Sequence, residues 1–130
     1  MPNSSRTHIP TLYLVEPSNS LRCRQLSMFA RIAGIRVIAA GANASSELAC
    51  LSHYQPDIVV IGLRTASTRS LHDVRAIRSA LPDCILLVLV DALAQPLRRA
   101  CLEAGGDYCF DRTLELDAIG STLGRLAVGA

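Results

Sequence analysis

The sequence predicts an α/β fold, a five-stranded parallel sheet doubly wound by five helices, on three observations. Short apolar runs alternate with helix-period segments five times along the chain, the alternation that a parallel sheet with crossover helices produces. Residues 58–63 and 84–90 are apolar at consecutive positions instead of every second one, as in strands covered on both faces. With 130 residues there is room for one core and not for two, and right-handed crossovers then place helices on both sides of a single sheet.

In chain order, residues 1–9 are a polar tail and 10–130 the domain. Thr11 to Val15 reads as the first strand. The first helix runs from Ser18 or Ser20 to Ala33, with Leu26, Phe29, Ala30 and Ala33 inward and Gly34 as its stop. Ile35 to Ala40 is the second strand, and Asn43 suits the N-cap of a helix whose inward stripe is Ala44, Leu48 and Leu51 and which ends at Gln55 and Pro56. Asp57 to Leu63 is the third strand. A polar loop, Arg64 to Ser70, leads to a helix with Leu71, Val74, Ile77 and Leu81 inward, stopped by Pro82. Cys84 to Val90 is the fourth strand, followed by a helix with Pro96 in its first turn, Leu97, Ala100, Cys101 and Ala104 inside, and Gly105 as cap. Tyr108 to Phe110 is a short edge-like strand. Thr113 can cap the last helix, with Leu116, Ile119, Leu123 and Leu126 inward.

Composition narrows the function classes. Half of the residues are hydrophobic and 18% charged, which suits a folded domain and not a disordered adaptor. The 13 basic residues are all arginine, net charge is +2, and there are three Tyr, two Phe and no Trp. A basic stripe with interleaved aromatics is therefore missing, and no direct contact with nucleic acid is expected. The longest apolar run, Cys84 to Val90, is too short to span a bilayer, and residues 1–8 carry no apolar signal segment; the chain is expected to be cytoplasmic and free of the membrane. Cys23, Cys50, Cys84, Cys101 and Cys109 form no Cys-x-x-Cys pair and no Cys/His set at metal-ligand spacing, so they are read as buried reduced thiols.

In an open α/β sheet the site forms at the carboxyl ends of the strands, here Glu16 and Pro17, Gly62, and Val90 and Asp91. Four stretches around these ends carry a resemblance. They are Leu14-Val15-Glu16-Pro17-Ser18, Pro56-Asp57-Ile58-Val59-Val60-Ile61-Gly62-Leu63, Leu71 nine residues beyond Gly62, and Ala100 to Arg112 with Glu103-Ala104-Gly105-Gly106-Asp107-Tyr108. In order and spacing, from Pro10 to Leu126, they resemble the receiver domain of two-component response regulators. The resemblance implies the strand order 2-1-3-4-5 and a phosphorylation site at those strand ends.

Position by position, the chain departs from that site. Of the two adjacent acids that normally close the first strand, Glu16 remains and the second is Pro17. The phosphate-accepting aspartate corresponds to Gly62, which has no oxygen to attack a phosphoryl group. The hydroxyl of the fourth strand corresponds to Val90, the lysine to Arg112, and the proline after it to Thr113. The aromatic switch position holds Cys109, with Tyr108 beside it as a partial substitute should the register slip by one. Glu16 is the one residual metal ligand of the pattern, and Mg²⁺ is usually bound through one or two carboxylates plus phosphate oxygens or waters. A second acid could come from Asp91; the reading preferred here is that Glu16 and Asp91 pair with Arg112 as salt bridges instead. No metal and no cofactor is expected.

Other chemistries find no footing. His8, His53 and His72 have no nucleophile at hand, and no Gly-rich phosphate loop occurs. Thr65, Ser67, Thr68 and Ser70 with Arg64 and Arg69 could bind an anion or accept phosphate from a kinase, though an ordinary solvated loop has the same composition. The expectation is a non-enzymatic pseudo-receiver acting in signal transduction through protein contacts, with a small-molecule or anion site at Glu16, Asp91 and Arg112 as the alternative. The resemblance also implies a homodimer through the fourth helix, fifth strand and fifth helix, exposing Arg98, Arg99, Glu103, Asp111, Glu115, Asp117 and Arg125.

Overall fold

The computed structural model describes residues 8–63, 68–91 and 94–129. Ten elements follow in strict alternation: β1 (Thr11–Val15), α1 (Asn19–Ala30), β2 (Arg36–Gly41), α2 (Ala44–Tyr54), β3 (Ile58–Gly62), α3 (Thr68–Ala80), β4 (Ile85–Val90), α4 (Gln95–Glu103), β5 (Tyr108–Asp111) and α5 (Leu116–Ala127). The strands form one parallel sheet in the order β2–β1–β3–β4–β5, the order implied by the resemblance. Residues 1–7 of the tail and 64–67 of the polar loop lie outside the described residues. Among the described residues no helix is long and apolar enough to cross a membrane.

The continuous apolar runs are explained by the two layers. On one face Val59 and Ile61 of β3 and Leu86, Val88 and Val90 of β4 pack with Leu51 of α2, Val74 and Ile77 of α3, and Cys101 of α4. On the other, Ile58, Val60, Leu87 and Leu89 pack with Phe29 of α1 and Ile119, Leu123 and Leu126 of α5. Successive side chains of a strand point to opposite faces, so a strand with a helix layer on each side has no polar position to spare.

Several boundaries differ from the sequence reading. The first helix stops at Ala30, so Ala30 and Ala33 are exposed, and Gln25 joins Phe29 on the buried side. Gly34 follows with φ +86, a turn geometry that costs glycine little. Asn43 stands at the start of α2 without a side-chain cap bond. Thr113 does not cap α5: the cap is Glu115, because Asp111 Oδ1 accepts the backbone N–H groups of Thr113 and Leu114, each at 2.9 Å, and holds the chain in a turn. Leu116, at the first position of α5, is consequently half exposed. Cys84, Cys101 and Cys109 are buried as expected, whereas Cys23 and Cys50 are exposed.

Arg78 fastens the end of the molecule opposite the strand carboxyl ends. Its guanidinium donates to the carbonyls of Gly105 (2.9 Å), Leu81 (3.2 Å), Pro82 (3.0 Å) and Cys84 (2.8 Å), and pairs with Asp107 at 2.7 Å. Asp107 in turn accepts from the Leu86 backbone N–H at 2.8 Å. A Cβ on Gly105 would lie 2.8 Å from Arg78 Cβ, and the residue has φ +126, so glycine is required there on two counts. Hydrogen bonds to a charged group contribute more than neutral ones. Arg78→Ala is expected to lower the unfolding free energy by about 2 to 3 kcal/mol in urea titration, and a loss below about 0.5 kcal/mol would contradict the clamp.

Candidate functional site

Side-chain alternation decides which residues meet at the carboxyl ends. Leu12 and Leu14 face α1 and α5, so Glu16, two residues on, points the same way. By the same parity Gly62 follows Ile58 and Val60, Asp91 follows Leu87 and Leu89, and Arg112 follows Tyr108 and Phe110. Four strands thus deliver Glu16, Gly62, Asp91 and Arg112 to one side of one edge.

Glu16 and Arg112 are the centre of the group, 1% and 8% exposed. Arg112 Nη1 donates to Glu16 Oε1 at 2.7 Å. Its Nη2 donates to the carbonyl of Leu63, and to that of Leu89 at 3.3 Å. Nε lies 3.0 Å from Asp91 Oδ1, an ion pair without hydrogen-bond alignment; the Asp91 side chain is 61% exposed, so this contact is screened and weak. Glu16 Oε1 also accepts from Gln25 Nε2 at 3.0 Å, and Oε2 from the Ser18 backbone N–H at 3.1 Å. The Glu16 carbonyl accepts from Arg22 Nη1 at 2.7 Å. Two charges taken out of water cost several kcal/mol unless their remaining donors and acceptors are met, and here a planar fork reaches a carboxylate and two strand-end carbonyls at once.

The carboxylate occupies the space beside Gly62. A Cβ built on Gly62 would fall 2.1 Å from Glu16 Oε1 and 2.7 Å from its Cδ, far inside contact distance. Gly62 has no side chain, and the volume that one would enter there is filled by Glu16. All of Glu16's short contacts go to cations or N–H donors of this chain, which leaves its oxygens committed. Among the described residues no three His, Cys, Asp or Glu side chains gather as a metal site.

The remaining expected site residues separate from this cluster. Pro17 lines a neighbouring cleft with Asn43, Gly62 and Asp73. Val90 is buried in the opposite core layer, against α2, α3 and α4. Cys109 is buried in that same layer, where its hydrogen bond with Cys101 and then burial push the thiol well above its usual range. Tyr108 does not take its place: β4 and β5 pair with Val88 opposite Cys109, and Tyr108 stacks on Phe110, ring centroids 6.0 Å apart, on the other face.

On the expected dimer face, Arg99, Glu103, Asp117 and Arg125 are exposed. Asp111 is not: it is 5% exposed and turned into the Thr113–Leu114 turn. Arg98 and Glu115 pair with each other at 3.0 Å, and Arg98 also donates to the Cys109 carbonyl at 2.6 Å. Gln25 is the site residue that the sequence reading missed. It lies four residues before Phe29, the deepest residue of α1, and a polar residue one turn from such a position faces inward and needs a partner.

No family model and no curated protein matches the chain. Solved structures do. A two-component response regulator of the LuxR family from Aurantimonas aligns with TM-score 0.81 and 19% identity, over 94% of this chain and 87% of that one. A response regulator from Thermotoga maritima aligns with TM-score 0.77 and 20% identity, over 95% and 100%. A candidate pilus assembly-related protein from Burkholderia pseudomallei aligns with TM-score 0.77 and 16% identity, over 92% and 90%. At these identities the shared property is the receiver fold.

The ion pair predicts strong coupling. Glu16→Gln or Arg112→Met alone should cost about 3 to 5 kcal/mol by stranding a buried charge. The double variant should cost less than their sum by about 2 kcal/mol or more in a denaturation cycle, and additive losses would contradict the pairing.

Proposed function

We propose that this chain is a pseudo-receiver, a non-enzymatic signalling module that works through protein contacts and is not switched by aspartyl phosphate. The observation that supports this most is the Glu16 carboxylate seated over Gly62 and bound by Arg112. Phosphoryl transfer depends on positioning and on neutralising charge around the acceptor. Here the acceptor is absent, its space is taken, and the cation that would meet a phosphoryl oxygen already holds an internal carboxylate. Glu16 thereby stands where the modified side chain would act, as a permanent anion of this chain.

The alternative, a small molecule or anion bound at Glu16, Asp91 and Arg112, loses support from the same geometry, since a ligand would have to displace the buried pair. A surface role fits better. Arg99, Glu103, Asp117 and Arg125 present charges of both signs, able to pair with a second copy across a two-fold axis or with a protein partner.

Incubation with acetyl phosphate and Mg²⁺, followed by intact mass spectrometry, is expected to leave the chain and its Gly62→Asp variant unlabelled. In the variant the new carboxylate meets Glu16, and two adjacent anions raise each other's pKa unless a cation separates them. An adduct on the unmodified chain that hydroxylamine removes would identify another carboxylate, such as Asp91, as acceptor and overturn the proposal. One that survives hydroxylamine is no aspartyl phosphate; it would leave that part of the proposal standing and point to a hydroxyl, such as those of Thr65, Ser67, Thr68 and Ser70, as the modified group.

A further inference from the structure

Three cysteines are buried, and two of them meet. Cys101 of α4 and Cys109 of β5 are 0% and 2% exposed, in the layer formed with α2 and α3. Their thiols share a hydrogen bond. The backbone enforces the approach. Cys109 pairs with Val88 across β4 and β5, and a Cβ on Gly106 would lie 2.9 Å from Val88 Cγ2 and 3.1 Å from the Cys101 carbonyl oxygen. The end of α4 is thus pressed onto the sheet beside Val88. The third buried cysteine, Cys84, has Arg78 Nη1 at its sulfur, 3.9 Å away.

Burial ordinarily makes a thiol inert, and two features set this pair apart. The first is the charge that the hydrogen bond arranges. Donation from Cys109 holds the Cys101 thiol below its usual range, while the same bond and then burial push the Cys109 thiol up. A thiolate attacks a peroxide where a thiol does not. The second feature is α4. It is the shortest of the described helices, Ala94 gives it no side-chain cap bond, its first turn has no acid and its last no base, and of its residues only Cys101 is fully buried. Such a helix is weakly held at both ends, and segments of this kind open well below the cost of global unfolding. Arg98 tethers it, at 2.6 Å to the Cys109 carbonyl and 3.0 Å to Glu115, so opening has this side chain to release.

We propose that Cys101 and Cys109 are a reversible modification site, a dithiol that a hydroperoxide closes to an intramolecular disulfide between α4 and β5. The Cys101 thiolate attacks one peroxide oxygen, the O–O bond breaks, and the departing oxygen takes up a proton and leaves as water or an alcohol. Cys101 is then a sulfenic acid. The sulfur of Cys109 attacks that of Cys101 and gives up its proton; the S–O bond breaks and water leaves. The dithiol is oxidised, the peroxide is reduced, and a small dithiol restores the pair by thiol–disulfide exchange. Bonded sulfurs stand about 2 Å apart, closer than hydrogen-bonded ones. Closure therefore draws α4 toward β5 and moves Arg99, Leu102 and Glu103, which are exposed on it. The modification is independent of phosphorylation and of whether that surface meets a partner.

The test uses the chain with Cys23→Ser and Cys50→Ser, which removes both exposed thiols. It is treated with hydrogen peroxide in native buffer, then denatured and alkylated with N-ethylmaleimide. Mass spectrometry is expected to find Cys84, Cys101 and Cys109 alkylated before treatment and Cys84 alone after it, with dithiothreitol restoring all. A proteolytic map should join Cys101 to Cys109, and circular dichroism should show the chain folded throughout. With Cys109→Ala added, the reaction should stop at a Cys101 sulfenic acid that dimedone captures. Arg98→Ala, which frees α4, should hasten closure roughly tenfold. Full alkylation after peroxide, closure only in urea-unfolded chain, a link to Cys84, no capture by dimedone, or a rate unchanged by Arg98→Ala would each overturn the proposal.

Discussion

Arg112 and Glu16 lie 96 residues apart in the chain and 2.7 Å apart in the fold, and the carboxyl end of the sheet is organised around their contact. Arg112 comes from the edge strand β5, passes under the ends of β4 and β3, and binds the carbonyls of Leu89 and Leu63 on the way to a carboxylate at the end of β1. One guanidinium thus ties four neighbouring strands together. A lysine ammonium could neutralise Glu16, but it could not present separate nitrogens to the carboxylate and the two carbonyls in one plane. The arginine and the glycine are two halves of one arrangement, since the carboxylate reaches Arg112 only because residue 62 has no side chain.

Receivers are switched by a charge that is added and removed at the end of the third strand. Here the Glu16 carboxylate sits beside Gly62 at the end of that strand and is held by Arg112. The proposed pseudo-receiver is thus locked in one electrostatic state, and its signal acts through something other than phosphate at this position. On that proposal the outer surfaces are where other molecules are recognised.

Much of the fold was legible because its causes are local. The consecutive apolar runs of β3 and β4 require helices on both faces, and Gly34, Pro82 and Gly105 mark turns through backbone geometry. The errors lie where tertiary contacts override local pattern. Ala30 and Ala33 fit a helical stripe but lie where the chain turns away from the sheet, and Thr113 looks like a cap, but Asp111 holds Thr113 and Leu114 in a turn and the cap falls on Glu115. At the site, the pairing of Glu16, Asp91 and Arg112 could be inferred from charge and strand position. The filling of Gly62's space by Glu16 could not, because a side chain's direction within a crowded end depends on Gln25 and Ser18, whose roles appear only in three dimensions. Likewise Asp111 has the composition of a surface acid and is consumed by its own turn.

The central claim is that Glu16 occupies the space of a side chain at position 62, and the most direct measurement is the stability of Gly62→Ala in two backgrounds. In the otherwise unmodified chain the added methyl must push the carboxylate off Arg112, and a loss of about 2 kcal/mol or more is expected. In a Glu16→Ala background the space is open, and the same substitution should be neutral or stabilising, as removing a strand glycine ordinarily is. If Gly62→Ala leaves the unmodified chain as stable as before, the carboxylate does not sit there and the account fails.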